Sequence, residues 1–272
     1  MNKNSVSKNS AKVYAEDLVK KVLDILEKED GRSFAEKKAE AMSYLQNKEN
    51  SLLAERLLSC ACNEEKGKEI KNLFWNGGVI HVNENLLLRD VKEDDRSCFM
   101  MLQEQYAPFK SMLKEEAHRN MLWNEHINGK SLMCSMVYDG KCIGYCGIQN
   151  VAQEFWEISV EILPEWTGKG IGYAAISAML ESIVQRLGVK EFRVRIDPGN
   201  IASQRLFEKL GAVPNGISKH LLREEDEIKR CEEENIEAIN EELIAVAEKF
   251  KVEPRKLLSH VLEYKLMRGL IL

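Results

Sequence analysis

Residues 155–173 have the sequence FWEISVEILPEWTGKGIGY, and this stretch decides the fold. It begins with alternating apolar and polar residues, which predict a strand over 155–163. Three glycines then precede an apolar helical pattern, at Gly168, Gly170 and Gly172. A second strand and a second helix are predicted to follow over 191–196 and 200–210. The stretch therefore opens a βαβα unit.

The three glycines lie where the first of these helices begins. A helix N-terminus leaves backbone N–H groups unpaired and carries the positive end of the helix dipole. Glycine has no Cβ, so a pyrophosphate can approach the main chain closely. The loop is therefore predicted to bind phosphate groups, although a turn that only connects a strand to a helix can have the same glycines.

The predicted strand over 155–163 carries acids on one face. Side chains alternate along a strand, so one face presents Glu157, Ser159 and Glu161. A strand inside an α/β sheet is normally apolar on both faces. Two carboxylates on one face therefore indicate a polar cleft beside this strand.

Two segments together resemble the GNAT superfamily of N-acetyltransferases. They are PEWTGKGIG over 164–172 and NIASQRLFEKLGA over 200–212. The chain is most similar to the Rim-type branch, whose members acetylate the N-termini of ribosomal proteins. The resemblance extends from Leu86 to about His220 and resumes at the last predicted strand. It implies an α/β (α+β) fold with a mixed, mainly antiparallel sheet of about seven strands flanked by helices.

The resemblance also implies a role for each matching residue. Glu157 matches the strand glutamate that acts as general base, directly or through water, and Ser203 or a water would act as general acid. The main chain expected to hold the acetyl-CoA arm belongs to Glu161, Ile162 and Leu163. The pyrophosphate would be held by Thr167, Gly168, Lys169, Gly170, Ile171 and Gly172. Asn200 and Ser203 would lie near the thioester, and no metal is required.

Two residues depart from the family pattern. Members usually have arginine or glutamine where this chain has Thr167, so its phosphate contact is expected to be weaker or to be made by the hydroxyl group. Many members have a tyrosine as general acid where this chain has Phe207. A phenylalanine cannot donate a proton, which is why the acid role is assigned to Ser203 or water.

Two alternatives stay open. Residues 170–175 also fit the dinucleotide-binding pattern G-x-G-x-x-A, which would make the chain an NAD(P)-dependent oxidoreductase. The acids before the loop and the hairpin signal at Asp139–Gly140, which indicates antiparallel strands, count against that fold. A non-catalytic acetyl-CoA sensor is the second alternative. The favoured interpretation is an N-acetyltransferase that moves an acetyl group from acetyl-CoA to a primary amine.

The rest of the chain is predicted to be mostly helical before residue 80. Amphipathic patterns predict an N-terminal all-helical module over 1–80, with helices beginning near Ala11, Ser33, Ser51 and Lys66. The transferase-like domain is predicted over 84–272. It would contain a helical insertion over 222–255, with one long acidic helix between a short strand near 217–222 and the final strand.

Composition limits the location and the partners. The chain has 272 residues, a net charge of −5 and a pI near 5.7, which argues against binding to nucleic acid or to an anionic membrane. Seven cysteines without a C-x-x-C pair predict reduced thiols and a cytoplasmic protein. The polar start lacks the apolar core of a signal peptide. The expected partner is a small-molecule or peptide amine, and a homodimer is possible.

Overall fold

A computed structural model of the chain describes residues 24–45, 65–107, 110–219, 222 and 224–269. The chain divides into two compact units, made of residues 1–65 and 66–272. In the first unit, 24–27 are helical, and the rest of the helices predicted from Ala11 and Ser51 lies outside the described residues.

Helix α1 (Phe34–Leu45) belongs to the first unit and begins with the predicted capping box. The Ser33 N–H donates to the Glu36 carboxylate at 2.8 Å, and the Glu36 N–H donates to the Ser33 hydroxyl at 3.4 Å. These two bonds satisfy backbone donors that a helix start leaves unpaired. The helix predicted to begin at Ser33 is therefore confirmed.

The second unit is an eight-stranded sheet with helices on both faces. Its strands are β1 (Ile80–His81), β2 (Leu86–Asp90), β3 (Leu132–Tyr138), β4 (Lys141–Ile148), β5 (Trp156–Ile162), β6 (Glu191–Ile196), β7 (Val213–Lys219) and β8 (His260–Met267). Its helices are α2 (65–75), α3 (Arg96–Tyr106), α4 (Glu116–Ile127), α5 (Ile171–Leu187), α6 (Ile201–Lys209), α7 (Glu225–Glu234) and α8 (Glu241–Phe250).

The strand order is β1-β2-β3-β4-β5-β6-β8-β7, and among these described strands only the β5–β6 pair is parallel. The predicted mainly antiparallel sheet is confirmed, with one strand more than the expected seven. The dinucleotide-binding fold is wrong, because its sheet is mostly parallel. No helix of the described residues is long and apolar enough to cross a membrane.

Two helical layers cover the sheet. Helix α5 buries an apolar stripe on one face, through Ile176, Met179, Leu180 and Ile183. Helices α3 and α4 cover part of the other face, where Phe99 and Trp123 pack on Met133 and Tyr145. Glu161 lies opposite Tyr145 in the sheet register, so the polar face of β5 is on the α3 side.

Helix α2 is part of the core of the second unit. Phe74 is fully buried. The Arg186 guanidinium on α5 donates to the carbonyl groups of Phe74, Gly77 and Gly78 at 2.9–3.0 Å and lies 5.1 Å from the centre of the Phe74 ring. The compact unit therefore begins at residue 66. The domain boundary predicted after residue 80 lies further along the chain and stays a prediction.

The insertion between β7 and β8 corrects two expectations. The predicted long acidic helix is wrong, because α7 ends before Asn235 and α8 begins after Asn240, whose side chain accepts from the Leu243 N–H at 2.9 Å. Strand β7 begins at Val213 rather than near Ile217, since an irregularity after Pro214 lets the strand continue. A proline is tolerated there because β7 is the last strand of the sheet.

Glu232 fixes this insertion to the segment that leads into β8. Its side chain is almost fully buried. Its carboxylate accepts hydrogen bonds from Arg255 at 2.9 Å, Lys256 at 3.0 Å and Ser259 at 2.9 Å. Burial raises the pKa of Glu232, but these hydrogen bonds outweigh it and hold the pKa below its ordinary value.

We expect Glu232→Gln to lower the free energy of unfolding by about 1–3 kcal/mol at pH 7, since charge-assisted hydrogen bonds become neutral ones. A lowered folded-state pKa stabilises above the unfolded-state pKa, and this contribution is lost as the pH falls through the folded-state value. The difference from the parent chain should therefore shrink in acid. Urea unfolding at several pH values measures it, with the exposed Glu233→Gln as control. A difference that does not change with pH would contradict the assignment.

Candidate active site

Strands β5 and β6 are paired only where they begin. The register joins Trp156 to Phe192 and Glu157 to Arg193. Strand β5 nevertheless continues to Ile162, while β6 continues along β8. The two strands therefore separate, and a gap opens in the sheet beside the second half of β5.

Main-chain directions identify the β5 groups that face this gap. The Leu163 N–H donates to the Ile143 carbonyl at 2.9 Å and so points towards β4. Main-chain groups alternate in direction along an antiparallel strand, so those of Glu161 also point towards β4 and those of Ile162 point into the gap. The Tyr106 hydroxyl donates to the Ile162 carbonyl at 2.9 Å. Of the three residues expected to hold the coenzyme arm, Ile162 has its main chain at the gap.

The glycine loop lies at the start of α5. Gly168 and Gly170 have φ of +71° and +78°, a backbone region that favours glycine. Gly170 is the N-cap of α5, and no side chain caps this helix start. A Cβ at either glycine would meet no protein atom within 4 Å. The loop therefore leaves backbone N–H groups next to open space.

A glycine is needed at position 172 for a different reason, which is close packing. A Cβ at this position would lie 3.1 Å from Cδ1 of Ile162, so the missing side chain lets α5 pack closely on β5. Ile171, the first residue of α5, is buried in the same core. These two residues therefore hold the helix start next to the gap.

Two polar residues lie at the exposed rim of the loop. The Thr167 hydroxyl donates to the Pro164 carbonyl at 2.8 Å, so this donor is used within the loop. The Lys169 ammonium lies 5.0 Å from the centre of the Trp166 ring. Of these two residues, Lys169 is therefore the one whose side chain can approach an anionic ligand.

Glu157, the predicted base, lies in an ion pair. Its carboxylate accepts from Nε of Arg195 at 2.8 Å, and the residue is 8% exposed. Arg195 comes from β6, so the pair joins the two strands next to the point where they separate. Sequence reasoning did not identify Arg195, because the partner depends on the β5–β6 register.

Glu161 has a different environment on the same face of β5. Its carboxylate accepts from Nε2 of Gln103 at 3.3 Å, and Tyr145 lies opposite it in the β4–β5 register. Burial raises the pKa of Glu161, and the hydrogen bond from Tyr145 offsets part of this rise. No ion pair of Glu161 is found within the described ranges of the chain.

An aromatic wall lies behind Tyr145. The His126 ring stacks on Phe99 at 4.3 Å and meets Tyr145 edge-on at 4.5 Å between ring centres. Burial lowers the pKa of His126 to about 4, so its imidazole is neutral at pH 7. This wall is therefore uncharged. No group of three or more histidine, cysteine, aspartate and glutamate residues in the described ranges is arranged to hold a metal ion.

Asn200 and Ser203 meet at the start of α6. The Asn200 side chain accepts from the Ser203 N–H at 3.0 Å, so Asn200 is the N-cap of this helix. The cap uses the main chain of Ser203 and not its hydroxyl. Phe207 is 2% exposed and packs in the core, which explains why an apolar ring is tolerated at that position.

Comparison with known proteins agrees with this geometry. The acetyltransferase (GNAT) domain family matches residues 85–213. This stretch of the chain is a GNAT domain. The match covers β2 to the first residue of β7 and so includes the glycine loop and the gap.

Two relatives bear on the GNAT domain. A Bacillus subtilis (strain 168) protein, named as a candidate [ribosomal protein bS18]-alanine N-acetyltransferase, is 28% identical over 82 residues, which are 30% of this chain and 54% of the relative. The match therefore spans about half the length of that curated relative. The structure of RimL, a ribosomal L7/L12 α-N-protein acetyltransferase in complex with coenzyme A, has a TM-score of 0.51 and 14% identity, and the match covers 71% of this chain and 99% of RimL. This second likeness shows the fold.

The GNAT domain contains site residues that sequence reasoning missed. Arg195 holds Glu157, while Gln103 and Tyr145 hold Glu161. The register that follows from the Asp139–Gly140 hairpin could have placed Tyr145 on the polar face. Nothing in the sequence could have placed Gln103, since helix α3 reaches β5 only through tertiary packing.

Proposed function

We propose that the chain is an acetyl-CoA-dependent N-acetyltransferase that moves the acetyl group directly to a primary amine. The observation that carries this proposal is the gap between β5 and β6 beside an uncapped helix start at Gly170. A gap in the sheet accepts an extended arm, and the helix start accepts a diphosphate. The names of the two relatives support the same chemistry.

The coenzyme is held from two directions. The pyrophosphate lies against the N–H groups of Gly168 to Gly172, and Lys169 adds a cation. The pantetheine arm lies in the gap along Val160 and Ile162, where the main chain of β5 offers hydrogen bonds. For Ile162 to receive the arm, its carbonyl has to exchange the Tyr106 hydroxyl for a coenzyme amide. Asn200 and Ser203 lie at the thioester end.

The acceptor amine enters on the α3 side of the sheet. An ammonium group cannot attack a thioester, so it first loses a proton to a carboxylate of β5. The resemblance to the family points to Glu157, and Glu161 lies four residues further on the same face. A main-chain N–H of β5 at the gap stabilises the developing oxyanion. The acceptor class that the relatives' names indicate is a protein N-terminus.

Thiol release from acetyl-CoA tests the proposed function. The panel contains a peptide that begins with alanine, a peptide that begins with serine, spermidine and an aminoglycoside. Acetyl-CoA should release thiol with at least one of them, and mass spectrometry should find one added acetyl group on that amine. Coenzyme binding without transfer to any amine would instead favour the sensor. An absence of calorimetric heat with both acetyl-CoA and coenzyme A would exclude both.

We expect Ser203→Ala to reduce kcat by about tenfold or less, because a thiolate leaving group with a thiol pKa of about 8.5 needs little help from an acid. The variant keeps the N-cap of α6, since Asn200 accepts from the Ser203 main chain. Coenzyme affinity should stay unchanged in calorimetry. A kcat equal to that of the parent chain would assign the acid role to water.

A further inference from the structure

The two acids of β5 share a face, but one of them contacts a cation and the other contacts neutral side chains. Glu157 is bound by the Arg195 guanidinium at 2.8 Å. The guanidinium therefore already occupies Oε1 of the Glu157 carboxylate. Glu161 has no such partner among the described residues, and the side chains that contact it are the neutral Gln103 and Tyr145.

Among the described residues, the titratable groups that face Glu161 are two tyrosines, Tyr145 and Tyr106. Tyr145 faces it from β4, and burial raises the pKa of Tyr145 well above its ordinary value. Tyr106 faces it from α3, where burial and the Glu161 charge raise the pKa of that phenol. Burial therefore raises the pKa of Glu161, and no cation among the described residues compensates for it. A carboxylate with a raised pKa is a better proton acceptor near neutral pH.

Glu161 is also next to the reacting position. Its neighbour Ile162 has its main chain in the gap, and the Tyr106 hydroxyl reaches the Ile162 carbonyl at 2.9 Å. A thioester held by this part of β5 lies beside the Glu161 side chain, which points to the α3 side where the amine enters. Glu157 lies further back, where β5 and β6 are still paired.

We infer that Glu161 is the general base that takes the proton from the acceptor amine, with Tyr145 as a positioning residue. Glu157 is then a positioning residue whose ion pair with Arg195 fixes the point where the gap begins. The assignment rests on the proposed acetyl transfer and specifies its proton acceptor.

The step balances without a further reactant. The Glu161 carboxylate takes a proton from R–NH₃⁺ and gives it to solvent after turnover. The free amine lone pair attacks the acetyl carbonyl carbon, a C–N bond forms, and the C–S bond breaks. The proton that the nitrogen loses on becoming an amide ends on the coenzyme sulfur, through Ser203 or water.

The pH dependence of kcat/KM tests the inference, with acetyl-CoA and the alanine peptide or, if it reacts faster, spermidine. In the parent chain, kcat/KM should fall at low pH as Glu161 becomes protonated. This fall is called the acidic limb of the pH profile. The separate titration of a peptide α-amine, near pH 7.7–8.0, is the same in every variant. Glu161→Gln should lower kcat/KM at pH 7 by about 100- to 1000-fold and remove the acidic limb. Glu157→Gln should keep that limb and lose less than about tenfold, since it removes no proton acceptor.

The variant Tyr145→Phe tests whether Tyr145 acts on Glu161 through its hydroxyl or only through the packing of its ring. The change removes the hydroxyl that lowers the pKa of Glu161, so the acidic limb should move to higher pH while the coenzyme affinity stays the same. Glu165→Gln, on the exposed turn before the loop, removes an equal charge nearby and should leave the limb in place. Carboxyl NMR of Glu161 should give the same titration without any substrate.

Three results would overturn the inference. They are an acidic limb that survives in Glu161→Gln, a limb that disappears in Glu157→Gln, and a Glu161 carboxyl that titrates at or below the ordinary value for glutamate. Each differs from a failure of the proposed function, in which the parent chain neither binds acetyl-CoA nor acetylates any amine of the panel.

Discussion

Gly170→Val should abolish coenzyme A binding, with a loss of at least about 100-fold in affinity. Gly170 has a φ of +78° and caps α5 beside open space, so a valine side chain would occupy the place of the pyrophosphate and strain the backbone. The left-handed conformation costs a non-glycine residue about 1–2 kcal/mol of folding stability, whereas the loss of affinity comes from the side chain that blocks the pyrophosphate. Calorimetry with coenzyme A on the folded variant measures the effect.

Gly188→Val is the matched control for this experiment. Gly188 lies at the other end of α5, has a φ of +72°, and also has no atom within 4 Å of a built Cβ. Both variants therefore have the same backbone strain on the same helix. The control should lose stability and keep coenzyme affinity. Equal affinities in the two variants would remove the loop from the site.

Phe74→Ala should lower the free energy of unfolding of the second unit by about 3–5 kcal/mol, the usual effect of removing a buried aromatic ring. Phe74 is fully buried and also contacts the Arg186 guanidinium from its ring face. The loss would show that α2 stabilises the sheet, although the sequence suggested that it belongs with the N-terminal helices. Urea unfolding followed by tryptophan fluorescence measures the change.

The neighbouring residue provides the control for Phe74. Leu73 is 59% exposed on the same helix, so Leu73→Ala should change the free energy of unfolding by less than about 0.5 kcal/mol. A small effect of both substitutions would mean that α2 contributes little to the unit. In that case the boundary predicted after residue 80 would be the better description.

Local patterns predicted the parts of the fold that depend on short-range physics. Asp139 and Gly140 have φ of 47° and 79°, as the Asp-Gly hairpin signal requires. The alternation in β5 gave the polar face correctly. The prediction of one long acidic helix was wrong because the acidic pattern continues across the break between α7 and α8. The capping side chain of Asn240 was the stronger signal.

The partners of the site acids could not be predicted in the same way. The contact of Glu157 with Arg195 depends on how β5 and β6 are aligned across a helical crossover, and 38 positions separate the two residues. The contact of Glu161 with Gln103 joins positions 58 apart. Sequence spacing gives the residue types at the gap, whereas the charge balance of each acid depends on tertiary packing.

The place of β8 between β6 and β7 has a consequence for synthesis on the ribosome. The edge of β6 stays unpaired until β8 has been made, about 70 residues later, which takes roughly 4 to 14 s at the usual rate of translation. An open edge strand invites pairing with other chains during this time. Arg193, Arg195 and Glu191 lie on that strand, and their charges reduce the attraction of nascent chains for one another.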